Sequence, residues 1–123
     1  MFGQKTIMIV DDEPVVRELL KVVLEPSGAR IVEAYDGSHA LEVAWREQPD
    51  VAVVDVGLPK LSGVDVCRAL LTNPNPPVVI LITGNVYAEE LEGCGAEDVF
   101  PKPFQPLELL DAVERCMGGV AAI

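Results

Sequence analysis

The chain has 123 residues, half of them apolar, with 20 acids against 9 bases and a formal net charge of −11. That length holds one domain around one core, and the apolar content excludes a disordered chain. The charge repels phosphate backbones and anionic lipid, so it argues against direct nucleic-acid binding and favours cations and basic partner surfaces.

No apolar run approaches the ~20 residues of a membrane span. The start, Met1 to Lys5 followed by only four apolar residues at Ile7–Val10, does not have the form of a secretory signal. The expectation is one cytoplasmic domain over residues 1–123, without membrane contact. Cys67, Cys94 and Cys116 are widely spaced and lack a CxxC or a histidine companion, so they read as reduced packing thiols.

Ile7 to Val10 predicts a buried strand that gives out at Asp11-Asp12-Glu13. Pro14 suits the first turn of a helix, and Val15, Val16, Leu19, Leu20, Val22 and Val23 continue at helical spacing until Pro26 and Gly28. A less buried strand follows over Arg30 to Ala34. Asp36-Gly37-Ser38 then opens a second helix that stops before Pro49. Val51 to Val54 runs into Asp55 and is broken by Gly57 and Pro59, which predicts a central strand ending on a carboxylate. Val64, Cys67, Leu70 and Leu71 mark a third helix, and the proline-rich stretch 73–77 is a loop.

Val78 to Ile82 is the third fully apolar strand, ending at Thr83-Gly84. Val86 to Leu91 has room for about two turns of helix. Ala96 to Phe100 reads as a last, less buried strand, followed by Pro101-Lys102-Pro103 and a helix carrying Leu107, Leu110, Val113 and Met117. Five strands alternating with five helices predict an α/β fold with a parallel sheet covered on both faces. The three most apolar strands belong in the middle. The expected order is therefore 2-1-3-4-5, a doubly wound, flavodoxin-like three-layer sandwich.

In such a sheet the site lies beyond the carboxyl ends of the strands, where the strand order reverses. Asp11, Asp12, Asp55, Thr83 and Lys102 all fall at such ends. Three carboxylates in one crevice repel one another, and a hard divalent cation such as Mg²⁺ relieves the repulsion. A lysine and a hydroxyl beside them suit a phosphoryl group, so the implied chemistry is phosphoryl transfer. Asp11, Asp12 and Glu13 also suit a helix start, where acids are favoured. His39 reads as exposed and is not taken as a phosphoryl donor. Tyr35 and Trp45 read as packing or rim residues.

With these residues in place, the chain resembles the receiver domain of two-component response regulators over essentially its whole length. The resemblance rests on Asp11-Asp12-Glu13-Pro14, Asp55 with Leu58-Pro59 and Gly63, Thr83-Gly84, and Lys102-Pro103-Phe104. It implies that Asp55 takes a phosphoryl group from a phosphohistidine. The donor would be a histidine kinase or a histidine phosphotransfer domain, and the product would act on a downstream protein or output domain. Mg²⁺ would be held by Asp12 directly, by Asp11 through water, by Asp55 and by the backbone carbonyl of Gly57. Thr83 and Lys102 would contact phosphoryl oxygens, and the Lys102–Pro103 peptide would be cis.

The chain departs from the family pattern in two places. The family's aromatic residue three before the lysine is Val99 here, while Phe100 faces the other side of the strand. The spacing from Thr83 to Lys102 is also short by about one helical turn, so the fourth helix must be short or irregular. Gly57 and Asn85 occupy positions that influence loss of the phosphoryl group in the family. The resulting expectation is a phosphoacceptor switch that catalyses only its own phosphoryl transfer and loss. It ends at Ile123 without an output domain, either as a single-domain regulator or as a piece of a longer protein. The alternative is a receiver-like interaction module that is never phosphorylated. A phosphohydrolase would want an acid at Gly57, and a flavin carrier would want a phosphate loop where Asp11-Asp12-Glu13 stands.

Overall fold

A computed structural model describes residues 5–118. The two ends of the expected 1–123 domain lie outside the described residues. The strands are β1 (Thr6–Val10), β2 (Arg30–Ala34), β3 (Val51–Asp55), β4 (Val78–Thr83) and β5 (Asp98–Pro101). They form one parallel sheet in the order β2-β1-β3-β4-β5, as the apolar runs predict.

Alternation along the strands divides the core into two layers. Met8, Val10, Ala52, Val54, Val79 and Leu81 face α2 (Gly37–Glu47) and α3 (Gly63–Leu70). Ile7, Ile9, Val51, Val53, Ile80 and Ile82 face α1 (Pro14–Leu24) and α4 (Pro106–Cys116). β1 and β3 are buried along their whole length, whereas β2 is only half-buried, as expected of an edge. Each large apolar side chain buried here contributes roughly 1.5–3 kcal/mol over leaving it in water. Cys67 and Cys94 are buried and Cys116 half-buried, all as free thiols. Burial, with Cys94 beside it, pushes the Cys67 thiol up to about 12, which fits an inert packing role.

Local chemistry sets the helix starts. Proline opens α1 and α4. Asp36 caps α2 by accepting the His39 N–H at 2.8 Å, and Ser62 caps α3 by accepting the Asp65 N–H at 3.3 Å. Gly63 sits where a Cβ would lie 2.3 Å from the Asp55 carbonyl oxygen and 2.6 Å from the Val56 Cα. Only a glycine lets α3 start this close to the end of β3.

The expected two-turn helix over Val86–Leu91 is absent. In its place is one 3-10 turn, Glu89–Leu91, so the described residues hold four α-helices. The cause is local. The Asn85 side chain accepts the Tyr87 N–H at 3.0 Å, Tyr87 is exposed, and Glu89, Glu90 and Glu92 leave no apolar face to bury. The shortened Thr83–Lys102 spacing is accommodated here. The last strand begins at Asp98, two residues later than the Ala96 start read from the sequence, and runs one residue further to Pro101.

Candidate functional site

The parallel register brings the strand ends to one level: Val10 pairs with Val54 and Ala34, Asp55 with Ile82, and Thr83 with Pro101. Asp11, Asp12 and Asp55 therefore meet in one crevice, each offering a carboxylate oxygen within 4.8 Å of the others. Asp11 and Asp55 are buried, at 2% and 5% exposure, and Asp12 is exposed. Three carboxylates so arranged suit a hard, oxygen-liganded divalent cation such as Mg²⁺.

Lys102 faces them. Its Nζ lies 3.0 Å from Asp55 Oδ1, and the Lys102–Pro103 peptide that presents it is cis, as expected. Burial acts to lower the Lys102 pKa, but the hydrogen bond to Asp55 and the charges of Asp55, Asp11 and Glu13 outweigh it. The ammonium is held above its usual range. The Gly57 N–H also donates to Asp55 Oδ1, at 3.0 Å. Among the described residues both contacts fall on Oδ1, and no buried side-chain oxygen lacks a partner, so Oδ2 reaches solvent. Asp55 is held by one oxygen and open at the other.

The acids do not cap α1. Glu13 occupies the N-cap position without a side-chain cap, and Asp11 Oδ1 accepts the Glu13 N–H at 2.8 Å. Asp11 is pushed up to about 6, chiefly by burial and further by Asp55, against the lowering effect of the Glu13 N–H. A buried acid with its pKa raised beside another acid is costly without a cation.

Thr83 lies at the end of β4, next to the Asp55–Ile82 pair, and is 5% exposed. Its hydroxyl accepts the Asn85 N–H at 3.0 Å and lies 3.4 Å from the Asn85 carbonyl, so it is engaged with its own loop. His39 is half-buried rather than exposed. Its ring stacks on Tyr35 at 3.9 Å, and its Nδ1 accepts the Tyr35 N–H at 3.2 Å. That contact joins the end of β2 to the first turn of α2. Tyr35 and Trp45 are exposed, at 54% and 68%.

Sequence reasoning missed Arg17 and Glu33. Arg17 Nη1 donates to the Asp11 carbonyl at 2.7 Å and its Nε to Glu33 at 3.1 Å. The available signal was the pair of bases Arg17 and Lys21, four residues apart on α1.

The family model for the response regulator receiver domain matches residues 7–114. The chain belongs to this family. It is 39% identical over 112 residues to the response regulator GtcR of Aneurinibacillus migulanus, covering 89% of this chain and 46% of that protein. It is 41% identical over 114 residues to the response regulator MprA of Mycobacterium leprae, covering 90% of this chain and 50% of that one. The chain thus spans about half the length of the curated relatives it matches.

Among solved structures, the receiver domain of a signal transduction histidine kinase from Syntrophus aciditrophicus is similar with a TM-score of 0.85 and 31% identity. That match covers 97% of this chain and 94% of the other. The receiver domain of a sensor histidine kinase from Pseudomonas aeruginosa, solved with a magnesium ion coordinated in its active-site cleft, matches with a TM-score of 0.82. It is 29% identical and covers 93% of this chain and 98% of the other. The receiver domain described here is accordingly a signalling domain with the doubly wound order that its apolar strands predict.

Proposed function

We propose that this receiver domain is a Mg²⁺-dependent phosphoacceptor switch in which Asp55 is the nucleophile. The observation that carries the reading is the pairing of Asp55 Oδ1 with Lys102 Nζ at 3.0 Å beside two further carboxylates. Oδ2 attacks the phosphorus of a phosphohistidine, the P–O bond forms as the P–N bond breaks, and the imidazole leaves with the electron pair. Asp11, Asp12, Asp55 and the Gly57 carbonyl would hold Mg²⁺, which would supply positive charge to the phosphoryl oxygens. Lys102 exchanges part of its contact with Asp55 for a phosphoryl oxygen. Thr83 turns its hydroxyl from Asn85 to another oxygen, which alters the start of the loop leading to β5. Phosphorylation then shifts a two-state equilibrium.

The donor is a histidine kinase or a histidine phosphotransfer domain, and the reaction takes place in the cytoplasm. An apolar stripe on α1, with Val15 79%, Leu19 49% and Val22 69% exposed, lies beside the crevice and gives a docking protein a surface to cover. The domain catalyses only its own phosphoryl gain and loss, and a downstream protein or output domain reads the result.

The test is intact mass after incubation with acetyl phosphate, with and without Mg²⁺, on wild type and Asp55→Asn. The expected result is a gain of one phosphoryl group that requires both Mg²⁺ and Asp55. A folded wild type that gains nothing overturns the reading in favour of an interaction module, the role to which Val99 and the locally engaged Thr83 hydroxyl would then belong.

A further inference from the structure

Every backbone and side-chain polar group of Asp11 but one is tied down. Its N–H donates to the Ala34 carbonyl of β2 at 3.2 Å, and its Oδ1 accepts the Glu13 N–H at 2.8 Å. Its carbonyl accepts Arg17 Nη1 at 2.7 Å. Only Oδ2 has no partner among the described residues.

The Arg17 contact is itself anchored. Arg17 Nε donates to Glu33 Oε1 at 3.1 Å, and Lys21 Nζ holds the other oxygen, Oε2, at 3.0 Å. Lys21 also pairs with Glu18. Burial acts to raise the Glu33 pKa, but the pairs with Lys21 and Arg17 outweigh it and hold the carboxyl below its usual range. Glu33 is thus charged and bridged by two cations from α1. Arg17 is the less exposed of those cations, with 17% side-chain exposure against 34% for Lys21.

The consequence is a closed ring of contacts. Glu33 immediately precedes Ala34, so β2 grips Asp11 twice, through the Ala34 carbonyl and through Glu33 and Arg17. The planar guanidinium spans both acceptors with fixed angles, which a flexible ammonium does not reproduce. We infer that Arg17, braced by Glu33, is the positioning residue that aims Asp11 Oδ2 into the metal crevice and thereby sets Mg²⁺ affinity. Groups that orient the ligands of a metal commonly change its affinity about tenfold or more when removed. The inference rests on the proposed metal-binding role of Asp11.

The experiment is titration calorimetry with MgCl₂ on wild type, Arg17→Met, Arg17→Lys, Glu33→Gln and the Arg17→Met/Glu33→Gln double variant, with thermal unfolding as the check on fold. Arg17→Met is expected to weaken Mg²⁺ by about tenfold, and Arg17→Lys to recover part of that loss. Glu33→Gln should weaken Mg²⁺ by less, and the double variant by no more than Arg17→Met alone, because Glu33 acts through Arg17.

A folded Arg17→Met that binds Mg²⁺ as wild type does overturns the inference and leaves Arg17 a purely structural clamp. If Arg17→Met does not fold, Glu33→Gln carries the test, and unchanged Mg²⁺ binding in it has the same force. A wild type that gives no Mg²⁺ binding overturns the proposed metal site itself, and the inference with it.

Discussion

Lys102 approaches Asp55 from the end of β5 across the one intervening strand, β4, and its ammonium rests on the same oxygen, Oδ1, that accepts the Gly57 N–H. The cation therefore balances the acids without covering Oδ2. Replacing it should separate its electrostatic part in phosphoryl transfer from folding. Lys102→Met is expected to slow phosphorylation by acetyl phosphate by about 100-fold, the usual cost of losing one preorganised donor to a developing charge. Time courses of intact mass at saturating Mg²⁺ measure this, and an unchanged rate would remove Lys102 from the chemistry.

The raised pKa of Asp11 has a sign that can be checked on the metal-free protein. The folded state holds a proton on Asp11 up to about pH 6, whereas the unfolded chain releases it near 3.8. The folded state therefore binds more protons between those values, and stability falls as pH rises through them. Asp11→Asn should stabilise the metal-free domain by roughly 1–3 kcal/mol at pH 7.5, with the gain shrinking through pH 6 and gone below about pH 4. Urea unfolding at several pH values tests it. A gain that does not depend on pH would point to another cause.

Gly63 and Gly84 offer a matched pair. A Cβ at 63 meets the Asp55 carbonyl oxygen at 2.3 Å, and its three nearest neighbours are all backbone atoms, whereas a Cβ at 84 has nothing within 4 Å. Gly63→Ala should cost roughly 2–4 kcal/mol and displace Asp55. Gly84→Ala should change stability by less than about 0.5 kcal/mol. Thermal unfolding compares the two, and a tolerated Gly63→Ala would show that α3 can back away from β3.

Val99 packs partly buried against the layer of α2 and α3, while Phe100 packs against the layer of α1 and α4. The neighbouring aromatic therefore cannot substitute for one at position 99. Val99→Tyr places a ring on the side where the 3-10 turn has replaced a helix, and it is expected to change affinity for a signalling partner. Surface binding assays with and without phosphorylation measure this. Equal affinities for Val99→Tyr and wild type in both states would show that position 99 does not take part.

Much of this was legible in the chain because buried parallel strands announce themselves as apolar runs that stop on polar residues. Asp11, Asp55 and Thr83 could be placed at one edge before any contact was known. The segment 86–91 was legible only in part: the short spacing called for a short or irregular helix, but the single turn depended on Asn85 turning the backbone and on acids leaving no face to bury. Arg17 and Glu33 were overlooked for another reason. They lie 16 positions apart, and only the pairing of β1 with β2 brings them together over Asp11. His39 was misjudged because a stack on Tyr35 depends on how two side chains turn, which spacing does not record.

The single turn at Glu89–Leu91 bears on how a message would leave the crevice. A long helix after β4 is a rod, and a push at one end arrives as a displacement at the other. Here the path from Thr83 to Asp98 is a strap, fastened by buried Cys94 and half-buried Leu91 and Ala96 against the α2–α3 layer. Were the Thr83 hydroxyl to let go of Asn85 as proposed, the change would lie in how freely that strap moves between its fastenings. A partner that clasps this face would read a difference in entropy, with little need for a new shape.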